Sequence, residues 1–136
     1  MIGLDTNVLV RYLAGDPKSE LQVIQSVERV DRALEEEEPI FLNQIVICET
    51  VWVLLFRYKV PKRKLIESLE CLFLHPGFVF ENRGLLIRAL ELFRERKVDF
   101  ADTLIALVNS QQGCRTTYSF DKQAIRQLEF KGLPEA

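Results

Sequence analysis

Five acidic residues of this chain could together hold a divalent cation. Carboxylates that are brought together repel and raise one another's pKa, and a bound cation relieves that repulsion. Oxygen ligands without histidine or cysteine favour Mg²⁺ or Mn²⁺ over zinc. Such an ion suits phosphodiester hydrolysis, because it activates water and stabilises charge on a phosphate. Four of the acids form the predicted cluster, Asp5, Glu49, Asp102 and Asp121, and Asp99 is adjacent to it.

Asp5 ends a short apolar run and is followed at once by a predicted helix. Ile2 and Leu4 are typical of a buried strand, and Val8 to Leu13 have helical apolar spacing. In open α/β sheets, ligands bind beyond the carboxyl ends of the strands, so Asp5 stands where a ligand would bind. Aspartate is also a good helix N-cap, and the position alone does not separate the two roles.

Glu49 is the only charged residue in an apolar stretch that precedes Arg57. The stretch runs from Gln44 to about Tyr58, which is long for a buried strand and predicts a helix that is buried nearly all round. An unpaired buried carboxylate is costly. We therefore expect Glu49 either to pair with an arginine, Arg11 or Arg57, or to face a metal ion or a cleft.

Three further acids lie in the last third of the chain. Asp99 and Asp102 open a predicted helix, and capping explains Asp99 better than Asp102, which lies beside apolar positions. Asp121 follows a predicted strand at Thr116–Tyr118, as Asp5 follows the first strand. Acids that follow the strands of a parallel sheet converge on one edge, although each could instead be a cap or loop residue.

The elements that must position these acids predict an α/β fold. Apolar strands alternate with helices, which indicates an α/β sandwich around a short, mainly parallel sheet. At 136 residues the chain is expected to form one domain, residues 1–136. A turn is predicted at Asp16 and Pro17. The predicted strands are Ile2–Leu4, Ile40–Leu42, Phe78–Phe80 and Thr116–Tyr118.

Composition is typical of a soluble globular protein, with 48% hydrophobic residues, 28% charged residues and a net charge of −2. That charge argues against nucleic-acid binding over the whole surface but allows a local basic rim. Cys48, Cys71 and Cys114 lie in apolar segments without metal-binding spacing, so we expect reduced core residues in a cytoplasmic protein. No signal peptide is visible.

Two basic clusters could contact a nucleic-acid backbone if they lie beside the acids. As isolated features, both are more typical of solvated turns. The first contains Arg57, Lys59, Lys62, Arg63 and Lys64, and the second contains Arg94, Arg96 and Lys97.

The chain resembles the PIN-domain ribonucleases, in particular the VapC-type toxins of toxin–antitoxin pairs. The resemblance covers essentially the whole chain, and the order and spacing of its motifs make it specific. The motifs are Leu4-Asp-Thr-Asn-Val-Leu9, Glu49 in an apolar helix, Asp99-Phe-Ala-Asp-Thr-Leu-Ile-Ala106 and Ser119-Phe-Asp-Lys122.

The resemblance implies an α/β/α sandwich and a Mg²⁺- or Mn²⁺-dependent endoribonuclease. It further implies a homodimer and an antitoxin whose tail occludes the acidic cleft, with cytoplasmic RNA as substrate. The apolar helices that begin at Gln44 and Pro61 are candidates for the dimer interface. By resemblance, Asp5, Glu49 and Asp102 match the three core acids of the family, and Asp121 matches a fourth. Asp99 could share or take the role of the third acid. The supporting polar residues of the family are matched by Thr6, Asn7 and Ser119.

Two other functions fit the same motifs. One is a non-catalytic interaction module, either an inactive PIN domain or a receiver-like domain, in which Lys122 beside Asp121 would serve a phosphoacceptor pocket. The other is a PIN nuclease that matures rRNA and has no antitoxin.

Overall fold

The structure is a computed structural model that describes residues 1–15 and 20–134. The chain divides into two compact units, Met1–Arg83 and Gly84–Ala136, and the single-domain assignment stays a prediction. The turn predicted at Asp16 and Pro17 lies outside the described residues. In chain order the elements are β1 (Ile2–Gly3), α1 (Thr6–Ala14), α2 (Leu21–Glu35), β2 (Ile40–Leu42), α3 (Gln44–Phe56), α4 (Lys62–Leu74), β3 (Phe78–Phe80), α5 (Arg83–Glu95), α6 (Phe100–Gln111) and α7 (Lys122–Gln127).

The sheet of the first unit is short and fully parallel, with the strands in the order β1-β2-β3. Ile2 lies opposite Ile40, and Ile40 lies opposite Phe78. Strands β2 and β3 each turn two buried side chains towards the core, as alternation along a strand requires. This arrangement confirms the predicted α/β class with a parallel sheet.

Helix α3 begins where the sequence predicted, but it is buried on one side only. Its N-cap is Asn43, whose side-chain oxygen accepts a hydrogen bond from the Val46 amide at 2.9 Å. Ile47 and Leu54 are buried, and α1 packs against this helix. The outward face is apolar as well, so the prediction of a helix buried nearly all round is wrong: its residues are Ile45, Trp52 and Phe56, which are 72%, 51% and 58% exposed.

The second unit is built from α5, α6 and α7. Phe93 of α5 packs edge-on against Phe100 of α6, with ring centroids 5.7 Å apart. A separate apolar cluster forms around α7. Its buried members are Ala124, Leu128 and Phe130, and Val98, Ala106 and Ile125 pack against them.

The fourth predicted strand, Thr116–Tyr118, is wrong. In the described part of the chain this segment makes one isolated bridge, between Tyr118 and Lys131, with backbone hydrogen bonds of 2.8 and 2.9 Å. Glu129 has a left-handed backbone (φ 59°), so the chain bends two residues before Lys131 and the pairing cannot extend in that direction.

The cysteines form no disulfide, but the prediction that they are core residues is wrong: Cys48 is half-buried and the other two are exposed. Cys71 lies on the outward face of α4, and Cys114 follows the turn at Gly113; both are exposed. Next to Cys71, Leu72 and Phe73 are buried, whereas Cys114 lies in an exposed polar segment. Among the described residues, every helix is too short or too polar to cross a lipid bilayer.

Candidate active site

Asp5 lies just beyond the carboxyl end of β1 and is the N-cap of α1. Its Oδ1 atom accepts a hydrogen bond from the Val8 amide at 3.1 Å. The side chain is exposed. The cap and the ligand position therefore do not exclude each other, because the cap fixes one carboxylate oxygen while the group still faces solvent.

Thr6 connects the start of α1 to α3. Its hydroxyl donates a hydrogen bond to Glu49 Oε1 at 2.8 Å, an ordinary distance for an O–H···O hydrogen bond. Thr6 is part-buried at the first position of α1, where its backbone is held by the helix. The contact thus fixes the position of an acid that lies 43 residues away in sequence.

Glu49 is exposed, and the prediction that it is buried is wrong. It lies on the same outward stripe of α3 as Ile45 and Trp52, at helical spacings of four and three residues. Because the residues of this stripe are apolar, hydrophobicity alone did not predict that this face of α3 is exposed. Glu49 also makes no ion pair with Arg11 or Arg57 in the described structure, since Arg11 pairs with Glu20 at 3.6 Å. Of the two predicted alternatives, an arginine partner or a cleft, the structure places Glu49 in a cleft.

The first unit contains a cleft of about 570 Å³ at the carboxyl end of β1. It brings together two of the predicted acids and both predicted supporting residues next to them. An arginine stands in the same cleft, so its walls carry both signs of charge. The lining residues are Asp5, Thr6, Asn7, Glu49, Trp52, Val53 and Arg57.

The second unit holds the other three acids. Asp99 is the N-cap of α6, and its Oδ1 accepts hydrogen bonds from the amides of Ala101 (2.7 Å) and Asp102 (3.3 Å). Asp102 is half-buried in the first turn. Burial raises the pKa of the Asp102 carboxyl above its usual value, and the charges of Asp99 and Asp121 raise it further. The helix thus holds Asp99 Oδ1 through two amides, as α1 holds Asp5 Oδ1 through one, whereas the charged form of Asp102 is disfavoured by its surroundings.

Asp121 caps α7 as Asp5 caps α1. Its Oδ1 accepts a hydrogen bond from the Ala124 amide at 2.9 Å. The Ser119 hydroxyl oxygen accepts one from the Asp121 amide, also at 2.9 Å. The predicted supporting role of Ser119 therefore has a contact that can carry it, because the bond fixes the backbone of the acid.

The donor set of both units fits a hard divalent cation in its chemistry. The predicted ligands are carboxylates, and the raised pKa of Asp102 is a cost that a nearby cation would remove. Across residues 1–15 and 20–134, no group of three or more histidine, cysteine, aspartate or glutamate side chains forms a ready metal site. The joint metal site of the five acids stays a prediction.

One acid at the same sheet edge was not predicted. Glu81 directly follows β3, as Asn43 directly follows β2 and Asp5 follows β1 by one intervening residue. Its Oε1 accepts a hydrogen bond from the Gln44 amide at 2.6 Å, so it holds the first turn of α3. The available signal was an acid after a strand, the same signal that singled out Asp5 and Asp121.

Comparison with known proteins gives the class of protein. The model of the PIN domain family matches residues 2–131, and the chain therefore belongs to the PIN domain family. The short parallel sheet and the surrounding helices agree with the α/β/α fold expected for that family.

A particular relative supports the same assignment. The chain is 26% identical over 129 residues to the VapC ribonuclease of Aquifex aeolicus (strain VF5), a match that spans 94% of this chain and 92% of that protein. The resemblance inferred from the acidic motifs is confirmed. A receiver-like domain is disfavoured, because the family match extends over nearly the whole chain.

Proposed function

We propose that this protein is a metal-dependent endoribonuclease and the toxin of a toxin–antitoxin pair. Membership of the PIN domain family and the similarity to a VapC ribonuclease support this function. The observation that carries it is the hydrogen bond from Thr6 to Glu49, which holds Glu49, from a distant segment, in one cleft with Asp5.

Asp5, Glu49 and Asp102 are the proposed ligands of Mg²⁺ or Mn²⁺, and Asp121 is the proposed fourth acid. The ion would lower the pKa of a bound water and stabilise charge on the RNA phosphate. The chain's own part is orientation: the Val8 amide holds Asp5, the Thr6 hydroxyl holds Glu49, and Ser119 holds the backbone of Asp121.

Asp102 is the better third acid, and Asp99 is the better capping residue. Asp99 Oδ1 already accepts two backbone amides, which stabilises the start of α6. Asp102 lies one turn further along, half-buried and disfavoured as an anion by its surroundings. An acid whose charge is costly without a partner is the one that gains most from a cation. Asp99 then adds negative charge near the ion and is the less favoured ligand of the two.

The proposed partners are an RNA substrate, a cognate antitoxin and a second copy of the chain, all in the cytoplasm. The name of the relative supports the ribonuclease, and the antitoxin is what the resemblance to VapC-type toxins implies. A gene for a small DNA-binding protein next to this gene would agree with the toxin assignment. Its absence would favour an rRNA-maturation nuclease without an antitoxin.

Cleavage assays test the proposal. The wild-type protein should cleave RNA in the presence of Mn²⁺ or Mg²⁺, and cleavage should stop when EDTA is added. Asp5→Asn and Glu49→Gln should lose activity by about 100-fold or more while keeping the circular dichroism spectrum of the wild type. Arg32→Gln is a matched control, because Arg32 is an exposed arginine of α2 that does not line the cleft and pairs with Glu36 at 3.2 Å. Full activity of Asp5→Asn would refute the proposal.

A further inference from the structure

An exposed aromatic pair lies next to the acids of the first unit. Trp52 and Phe56 are 51% and 58% exposed, and their ring centroids are 5.6 Å apart. Trp52 is the only tryptophan of the chain. Large aromatic side chains are usually buried, so a pair held together in solvent on one face of a helix suggests a binding role.

Trp52 belongs to the same cleft as the acids. It follows Glu49 by one helical turn, and both side chains line the cleft with Asp5. Arg57, the residue after the end of α3, lines it too. The cleft therefore combines an aromatic face, a cation and carboxylates.

These groups match the parts of a nucleotide in a single strand. An aromatic face stacks on an unpaired base, and an arginine binds a phosphate. A base inside a duplex is covered by its neighbours, so only an unpaired base can offer its face to Trp52. An exposed apolar stripe alone would also fit a protein partner, but a guanidinium in the same cleft as the indole favours a polyanion with π-faces.

We propose that Trp52 and Arg57 form a nucleotide-binding subsite, in which Trp52 stacks on an unpaired RNA base and Arg57 contacts an adjacent phosphate. The subsite would place the strand beside Asp5 and Glu49, and it rests on the proposed function for RNA as the ligand. It also predicts that the enzyme acts on single-stranded segments or loops. Trp52 tolerates any base, because every base has a π-face.

The single tryptophan makes the subsite directly observable. We would titrate Asp5→Asn, in EDTA so that no cleavage occurs, with a single-stranded oligoribonucleotide and follow tryptophan fluorescence. Stacking should quench the emission. An abasic oligonucleotide of equal length and charge should bind through Arg57 with little quenching, and a blunt RNA duplex should likewise leave the emission unchanged.

Binding constants from the anisotropy of labelled RNA test each residue in the same background. Trp52→Leu should weaken binding about 5- to 100-fold, and Trp52→Phe should recover most of the loss. Ile45→Ala is the matched control, because it removes an even more exposed apolar side chain of α3 (72% against 51% for Trp52) that does not line the cleft. Arg57→Gln should lower affinity and flatten its salt dependence, whereas Arg32→Gln, on α2 and outside the cleft, should do neither.

Unchanged emission on adding single-stranded RNA, together with unchanged affinity of Trp52→Leu, would overturn the subsite. So would a Trp52→Leu variant that loses self-association or antitoxin binding and keeps full RNA affinity, since the stripe would then be a protein interface. Failure of the proposed function is a separate result. A wild-type protein that binds single-stranded RNA with quenching and never cleaves it would keep the subsite and refute the nuclease.

Discussion

Removing one methyl-sized polar group, the Thr6 hydroxyl, tests how the first unit holds its acids. Thr6→Val keeps the shape of the side chain and deletes the 2.8 Å hydrogen bond to Glu49. A hydrogen bond to a charged group contributes about 1.5–3 kcal/mol. Glu49 is exposed, so water replaces part of that bond, and we use the lower end of the range. The expected loss of kcat/KM is about tenfold.

The assay is RNA cleavage in saturating Mn²⁺, with single-turnover rates for each variant. Thr6→Ser restores the hydroxyl and should recover most of the activity. In the double variant Thr6→Val/Glu49→Gln, the loss due to Thr6 should be smaller than in the wild-type background, because the glutamine oxygen accepts the same hydrogen bond without a charge. A full loss that persists in the Glu49→Gln background would show that Thr6 acts elsewhere. Wild-type activity of Thr6→Val would refute the orienting role.

Three further predictions concern stability. Without divalent ions, Asp102→Asn should raise the melting temperature at neutral pH. Because folding raises the pKa of the Asp102 carboxyl, the wild-type protein loses stability as pH rises from the usual pKa of 3.8 through the pKa in the folded state. The higher melting temperature of the variant should therefore disappear at lower pH. A variant that is no more stable at neutral pH would contradict this. Glu81→Ala should lower the free energy of unfolding in urea by about 0.5–2 kcal/mol, because the first amide of α3 loses its acceptor. Glu81→Gln should lower it less, and equal losses for the two variants would contradict this role of Glu81. Gly15→Ala should cost about 1–3 kcal/mol, because the new Cβ would lie 2.6 Å from the Arg11 carbonyl oxygen and 2.7 Å from Val23. A neutral Gly15→Ala in the same unfolding assay would show that this turn can relax.

The sequence predicted the local elements better than their exposure. The strands at Ile40–Leu42 and Phe78–Phe80 are confirmed. They could be predicted because short apolar runs between turn residues have few other ways to pair. The helix of Glu49 is confirmed as a helix, but its outward stripe is apolar, and hydrophobicity cannot tell a buried face from an exposed binding face. The strand at Thr116–Tyr118 fails because pairing depends on a distant partner, and the bend at Glu129 removes that partner.

The candidate site shows the same division. Asp5, Thr6 and Glu49 could be singled out from motif and residue type, yet the bond that joins two of them depends on how α1 packs on α3. Arg11 was a reasonable partner for Glu49 by charge, and only the structure shows that it pairs with Glu20. Long-range pairing is a property of packing, which one sequence does not reveal.

The most direct test of the metal-dependent account is a crystal of the wild-type protein soaked in Mn²⁺, with data collected to locate the ion by its anomalous scattering. The account predicts a peak coordinated directly by the Asp5 carboxylate, and loss of that peak in Asp5→Asn. Ions bound only at other acidic surfaces, or an Asp5 carboxylate that binds none at millimolar Mn²⁺, would contradict it.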